Sequence, residues 1–410
     1  TIVLEIWLLQ DNIKHTNMSN TLNLGTNGNW ATKKESLLAY NDENNNFKPL
    51  PFNFTRNSSA TRVNKEGLIE VVSNNEPRID FKDSSEGSLL LEPSRSNLIT
   101  YSEDYTDNSW SKTGLTVSSN QIISPDGTLN ADEVNITTAN AYFLFNTISV
   151  SELTDYTFTF YAKKGTATDV AYSILNGVNF TNIVNTTSYF NEISDTDWTR
   201  IIIEFTTPLG CNSIRTYPLR DGSSTGTVYI WGAQLEQGSY ATSYIPTQGS
   251  IGTRVAESCG QNPVSGIIGQ TELTVFYKGI VERLGGSDGH AIALSQSADA
   301  AGSSRILLYR NSYGDMYVYV QDTTTVFSTP LLVNSNPQIN DKYAIAIKDN
   351  DLVIYCNGVK VAENNSGTIP TMQYIYLNEW SNQINQKNIT QEVKLYNTRL
   401  SNTELQQLTS

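Results

Sequence analysis

From Asn97 to Thr247 the chain alternates apolar and polar positions with a period of two. In "DYTFTFYAKKG", Tyr156, Phe158 and Phe160 fall on one side and Thr157, Thr159 and Tyr161 on the other. Successive side chains of a strand point to opposite faces, so the first set is expected to face a core. "WTRIIIEFTTP" repeats the pattern, with Ile201, Ile203 and Phe205 set against Arg200, Ile202 and Glu204. Ile202 predicts a second face that is partly covered. Strands recurring about every ten residues, with Gly, Asn and Asp turns between them, predict a β-sandwich or jelly roll.

A second regular stretch runs from Gln270 to Ser410. In "DLVIYCNGVKVAE" the pair Asn357-Gly358 signals a hairpin, because a type I′ turn needs positive φ at both central positions. That turn sets Cys356 opposite Val359 and Ile354 opposite Val361. Leu352, Ile354, Cys356, Val359 and Val361 are then expected to share an apolar face, with Tyr355 and Lys360 on the other. Near the end, Ser401 stands three residues before Glu404, a capping box that predicts a short terminal helix.

The remaining segments lack such periodicity. From Ser19 to about Leu91 the text is full of turn residues, as in "GTNGNW", "NDENNNF" and "NSSATRVNKEG", and is expected to take its order from neighbours or from other copies of the chain. "GLIEVV" (67–72) and "GSLLLEP" (87–93) are short strand candidates within it. "PTQGSIGTRVAESCGQNPVSGIIG" reads as a connection between domains. The organisation expected is all-β: an N-terminal attachment or oligomerisation region over 1–95, a jelly roll over 96–248, a linker over 249–269 and a second β-sandwich over 270–410. The apolar start "TIVLEIWLLQ" contains Glu5 and falls short of the roughly 20 residues that span a bilayer, so no membrane insertion is expected. It reads as a packing segment or as a leader outside the working fold, with Met18 as an alternative start.

Composition narrows the partners. With 27 Lys and Arg against 41 Asp and Glu in 410 residues, the net charge is −14, and such a field repels phosphate backbones. Nucleic acid is not an expected partner. Cys211, Cys259 and Cys356 are odd in number and form no CxxC, so they read as small buried residues and not as disulfide or zinc ligands.

"DYTFTFYAKKG", "DTDWTRIIIEFTTP" and "VYIWGAQLEQGSYATSYIPT" together resemble the carbohydrate-binding-module-like jelly rolls of bacteriophage fibre and spike proteins. "HAIALS", "LTVFYKG", "DLVIYCNGVKVAE" and "VKLYNTRLSNTEL" resemble a concanavalin A or laminin G-like sandwich. The segment from "LNLGTNGNW" to "GLIEVV" is similar to the start of head-spike or fibre proteins of phages that infect Bacteroidetes-type bacteria. The resemblance covers residues from about 19 to the end. It implies a homotrimer on the virion surface, assembled in the bacterial host cytoplasm, contacting other capsid or tail proteins and holding host surface glycans on its β modules.

Catalytic chemistry finds little in the sequence. The two histidines, His15 and His290, stand apart, and no HExxH, GxSxG or GxxxxGK[ST] occurs. A glycosidase needs two carboxyls roughly 5 to 10 Å apart, yet "LVIYC" and "YVYVQ" carry none. No enzymatic activity and no catalytic residue are expected; a glycan depolymerase using acids from separate loops, or a ligand-free capsid decoration protein, are the alternatives. Glu236, beside Trp231 and Gln234, invites a catalytic reading. A bulge at Gly232 is expected instead, burying Val228, Ile230, Ala233 and Leu235, exposing Trp231 and turning Glu236 outward.

Sugar binding needs aromatic faces and nearby polar groups. In "RILLYRNSYGDMYVYVQD", Tyr317 and Tyr319 are expected on the open face of a sheet, opposite Met316, Val318 and Val320, with Tyr309 joining from the neighbouring strand. The same tyrosines also have a plain reading as good strand formers. Trp380, with Asn378 and Glu379, reads as a loop tryptophan amid polar residues. Trp110 stands open between a glycan contact and a packing residue. No cofactor is expected beyond a structural calcium at "SPDGT", "RDGSSTG" or "DND", each of which also reads as a turn.

Overall fold

The computed structural model describes residues 21–39, 50–282, 288–298, 304–322, 330–378 and 386–410. Antiparallel strands make up nearly all of its regular structure. Residues between Asn97 and Thr247 form a sandwich of two five-stranded sheets. One sheet has the order Trp110–Thr113, Phe143–Ser149, Ser213–Arg220, Ala171–Asn176, Asn182–Ser188; the other has Leu115–Ile123, Leu129–Ile136, Gly226–Gln237, Asp155–Lys164, Thr199–Thr206. Tyr156, Phe158, Phe160, Ile201, Ile203 and Phe205 all face the core between them, as their alternation predicts. The reverse side departs from expectation. Thr157 and Thr159 are buried there, whereas Ile202 is about half exposed, at 48%.

The second sandwich is built from both ends of the chain. One sheet runs Val359–Asn364, Asp351–Cys356, Lys342–Lys348, Glu272–Val281, Asn388–Tyr396, Ser88–Leu91, Arg78–Asp80, with Leu22–Leu24 also paired to Asn388–Tyr396. The facing sheet runs Ala31–Lys33, Ser36–Ala39, Leu50–Thr55, Ser258–Gln261, Tyr374–Leu377, Gly289–Ser295, Arg305–Arg310, Met316–Gln321, Leu331–Asn334. Leu22, Leu37, Phe52, Phe54 and Leu89 share one core with Val275, Ile292, Val318 and Ile354. The arrangement therefore differs from four consecutive blocks. Residues 22–91 supply strands to the C-terminal sandwich, and the jelly roll is an insertion within it. Strands of three to six residues cannot bury a face alone, and here they find partners in Asn388–Tyr396 and Ser258–Gln261.

The chain enters and leaves the jelly roll through one narrow ribbon, in which Arg95–Asn97 pairs with Gly252–Arg254. Beside it lies a buried ionic network. Glu257 accepts from Arg56 Nη1 at 2.6 Å and from Arg78 Nε at 2.9 Å, and it also meets Arg78 Nη2. Glu92 takes Arg78 and Arg254, both at 3.0 Å, together with Ser243 N at 2.9 Å and Ser243 Oγ at 2.6 Å. All five charged side chains are shut from solvent. Charges so buried persist only when paired and hydrogen-bonded, and each here is held by others distant in sequence.

Two local expectations hold and one shifts. Asn357 and Gly358 have φ of 48° and 78°, and Cys356 faces Val359. A bulge then moves Ile354 opposite Ala362 instead of Val361, and Val359 and Val361 lie exposed. Ser401 caps the helix Asn402–Thr409, its Oγ accepting from Glu404 N while Glu404 accepts from Ser401 N. That helix covers Tyr355 and Val353 on the outer face of the sheet through Leu405.

Candidate functional site

Strands Gly289–Ser295, Arg305–Arg310, Met316–Gln321 and Tyr374–Leu377 lie side by side, with one face on the core and the other turned away from it. Met316, Val318 and Val320 are buried, so their neighbours Tyr317, Tyr319 and Gln321 point the other way and are half-buried. Register then assembles a surface. Tyr309 lies opposite Tyr317, Leu307 opposite Tyr319, and Ala293 bridges Leu307 to Tyr376. The Tyr309 and Tyr317 rings stack at 5.9 Å, and those of Tyr374 and Tyr376 at 6.0 Å.

Polar groups edge the rings. The Arg305 guanidinium lies 5.0 Å over Tyr319, whose hydroxyl donates to Gln321 Oε1 at 3.1 Å. His290 stands 5.8 Å from Tyr309. Burial holds the His290 imidazole down at about 4, with the Arg305 charge adding to the effect, so this ring is neutral near pH 7. Burial likewise pushes the Tyr309 hydroxyl up to about 12, where it remains a hydrogen-bond donor. Flat aromatic faces beside amide, hydroxyl and guanidinium groups match the C–H face and the hydroxyl rim of a pyranose.

The other sequence candidates do not join this surface. Trp110 is 2% exposed, donates from Nε1 to Tyr101 O at 3.0 Å and packs 4.7 Å from Tyr105, so its ring is core. Asn378 is buried too, its amide donating to Glu257 O at 2.9 Å. Trp380 and Glu379 lie outside the described residues. The Gly232 bulge is present, with φ 65° and a register break between Thr159 and Tyr161. Val228, Ile230, Ala233 and Leu235 pack into the core as expected. Trp231 and Glu236 are nevertheless buried, against expectation. Trp231 is covered by Ile69 and Tyr244, and Glu236 accepts from Gln234, Thr242 N and Thr242 Oγ1.

A second feature has no local sequence signature. A cleft of about 430 Å³ in the jelly roll is lined by Tyr101, Glu103, Asp104, Asn120, Asn130 and Asp132, among others. Glu103 accepts from Tyr244 Oη at 2.9 Å and from Asn130 Nδ2 at 3.1 Å. Asp132 accepts from Tyr105 N and Asn120 N, and burial pushes its carboxyl up to about 6. These acids come from separate loops and strands, which is why spacing could not group them. Among the described residues no cluster of three or more His, Cys, Asp or Glu forms that could hold a metal. In the calcium candidate "SPDGT", Asp126 Oδ1 accepts from Ser124 Oγ, Thr128 N and Thr128 Oγ1, which closes the turn.

No family model matches the chain, and no curated protein matches it. Among solved structures it is similar to a leech intramolecular trans-sialidase, at 15% identity and a TM-score of 0.31, over 38% of this chain and 26% of that one. A CBM40 module of Ruminococcus gnavus IT-sialidase, bound to α2,3-sialyllactose, matches at 13% identity and 0.30, over 36% of this chain and 91% of that one. The enzymatically active domain of tailspike protein 4 from bacteriophage CBA120 matches at 14% and 0.26, over 34% and 21%. The matches thus take in carbohydrate-binding modules and glycan-active enzymes. At such TM-scores they carry no argument about what this chain binds or does. They do correct one expectation: with sialidases and a trans-sialidase among the matching structures, the reading that the chain is not an enzyme is withdrawn.

Proposed function

We propose that this chain is an adhesive protein of a bacteriophage particle that holds host surface glycans on the tyrosine face of its C-terminal sandwich. The observation that carries the binding reading is the side-by-side placement of Tyr309, Tyr317 and Tyr319 on a sheet face turned away from the core. Stacked rings offer apolar area at low entropic cost, while Arg305, over the Tyr319 ring, and Gln321, at its hydroxyl, supply polar groups beside them. The virion role, homotrimeric assembly and contact with capsid or tail proteins rest on the resemblance of its segments to phage spike and fibre proteins.

Glycan-array binding by the full chain, compared with Tyr317→Ala and Tyr319→Ala, tests the binding reading. Removing one aromatic platform is expected to weaken a bound glycan about tenfold, the loss of ~1 to 2 kcal/mol. Equal binding by the wild type and both variants would sink it. A second reading is favoured by the cleft that brings Glu103 and Asp132 together, namely glycan cleavage there. New reducing ends from host polysaccharide that vanish in Glu103→Gln would establish it.

A further inference from the structure

The jelly roll carries arginines on the outer face of one sheet, and among the described residues one of them has no hydrogen-bond acceptor. Ser213–Arg220 contributes Arg215, Tyr217 and Arg220 to the face opposite Ile214 and Leu219, which point into the core. Phe143 lies opposite Arg220, and Phe145 packs 4.9 Å from Tyr217. The Arg215 guanidinium lies over two rings, 4.7 Å from the centre of Phe145 and 4.3 Å from that of Phe180. Arg220 lies 5.1 Å over Tyr217 and is already engaged, donating to Asp221, Ser173 and Asn182.

Arg215 differs from Arg220 in what it lacks. Among the described residues it has neither a carboxylate partner nor a hydrogen-bond acceptor, and its Nε is buried without one. Neither ring offers an acceptor in its plane, so the N–H donors of the guanidinium are left for a ligand. A guanidinium matches a carboxylate in bidentate fashion. On a chain of net charge −14 such a group is a local exception that selects for an anion. Phe180, 53% exposed beside it, offers an apolar face, and Asn182 and Thr147 are exposed polar neighbours.

We propose that this face binds a carboxylate-bearing sugar, with the carboxylate on Arg215 and the ring against Phe180. The site is separate from the tyrosine face and needs no residue of it.

Isothermal titration of the full chain with a short oligogalacturonate and with its carboxyl-reduced counterpart tests the assignment. The acidic form is expected to bind at least about tenfold more tightly than the neutral one, because only it forms the charge-assisted pair. Arg215→Gln is expected to erase that preference and Arg215→Lys to keep part of it. Should Arg215→Gln lose its cooperative thermal transition, Phe180→Ala provides the second variant, with at least a severalfold loss expected. Equal binding of the two saccharides, no binding of the acidic one, or full retention in folded Arg215→Gln or in Phe180→Ala would overturn the proposal.

Discussion

Asp132 shows how one buried carboxyl fixes the sign of a pH effect. Burial raises it to about 6 from an ordinary 3.8, against two main-chain donors that pull the other way. A raised carboxyl favours the folded state while protonated, so its contribution is complete below about pH 4 and is lost as pH rises through about 6. The thermal midpoint of the wild type, measured from pH 4 to 7, should therefore fall relative to that of Asp132→Asn as pH rises. A constant difference across that window would refute the assignment. At this scale the sequence was legible where a side chain's direction depends on its own strand, as for Tyr317 and Val318. Trp231 was misjudged because the segment around Ile69 that covers it is distant in sequence, and Glu236 because the chain turns back after it so that Thr242 bonds its carboxylate.

Among the elements, the terminal helix is the clearest case of local chemistry deciding structure. Eight residues make an unstable helix in isolation, so Asn402–Thr409 depends on its cap and on Leu405 packing against Tyr355 and Tyr396. Ser401→Ala removes the acceptor for Glu404 N and should cost about 1 kcal/mol, read as a lowered urea midpoint at unchanged slope. An unaltered midpoint would mean that packing alone holds the helix. The Asn357-Gly358 turn was equally legible, since its positive φ values follow from residue type. The bulge two residues later was not, because "VIYC" and "VKVA" alternate equally well in either register.

For the whole molecule, the nested order of the chain puts unusual weight on the neck. Two sandwiches joined by one two-stranded ribbon are coupled there through Glu257, which gathers Arg56 and Arg78, and through Glu92, which adds Arg254 and Ser243. Burial alone would raise the Glu92 carboxyl, but Arg254 and Arg78 outweigh it and hold the group well below the usual carboxylate range. Removing one charge from such a network leaves a buried guanidinium without compensation, at a cost of about 3 to 5 kcal/mol. Glu257→Gln is expected to lower stability by that order and to split a single calorimetric transition into two, as the jelly roll and the outer sandwich uncouple. One unbroken transition in the variant would show that the network does not join them.

The sequence by itself determined that the two periodic stretches are built of strands, which side of those strands is apolar, where the Asn-Gly hairpin turns and where the last helix starts. These depend on alternation, turn chemistry and capping, all set within a few residues. Tertiary structure alone decided which strands pair, that residues 22–91 complete the C-terminal sandwich, and that the jelly roll interrupts it. It also decided which charges are buried. Arg78 and Glu257 are 179 residues apart, and nothing local to either marks it as half of an ion pair in the interior.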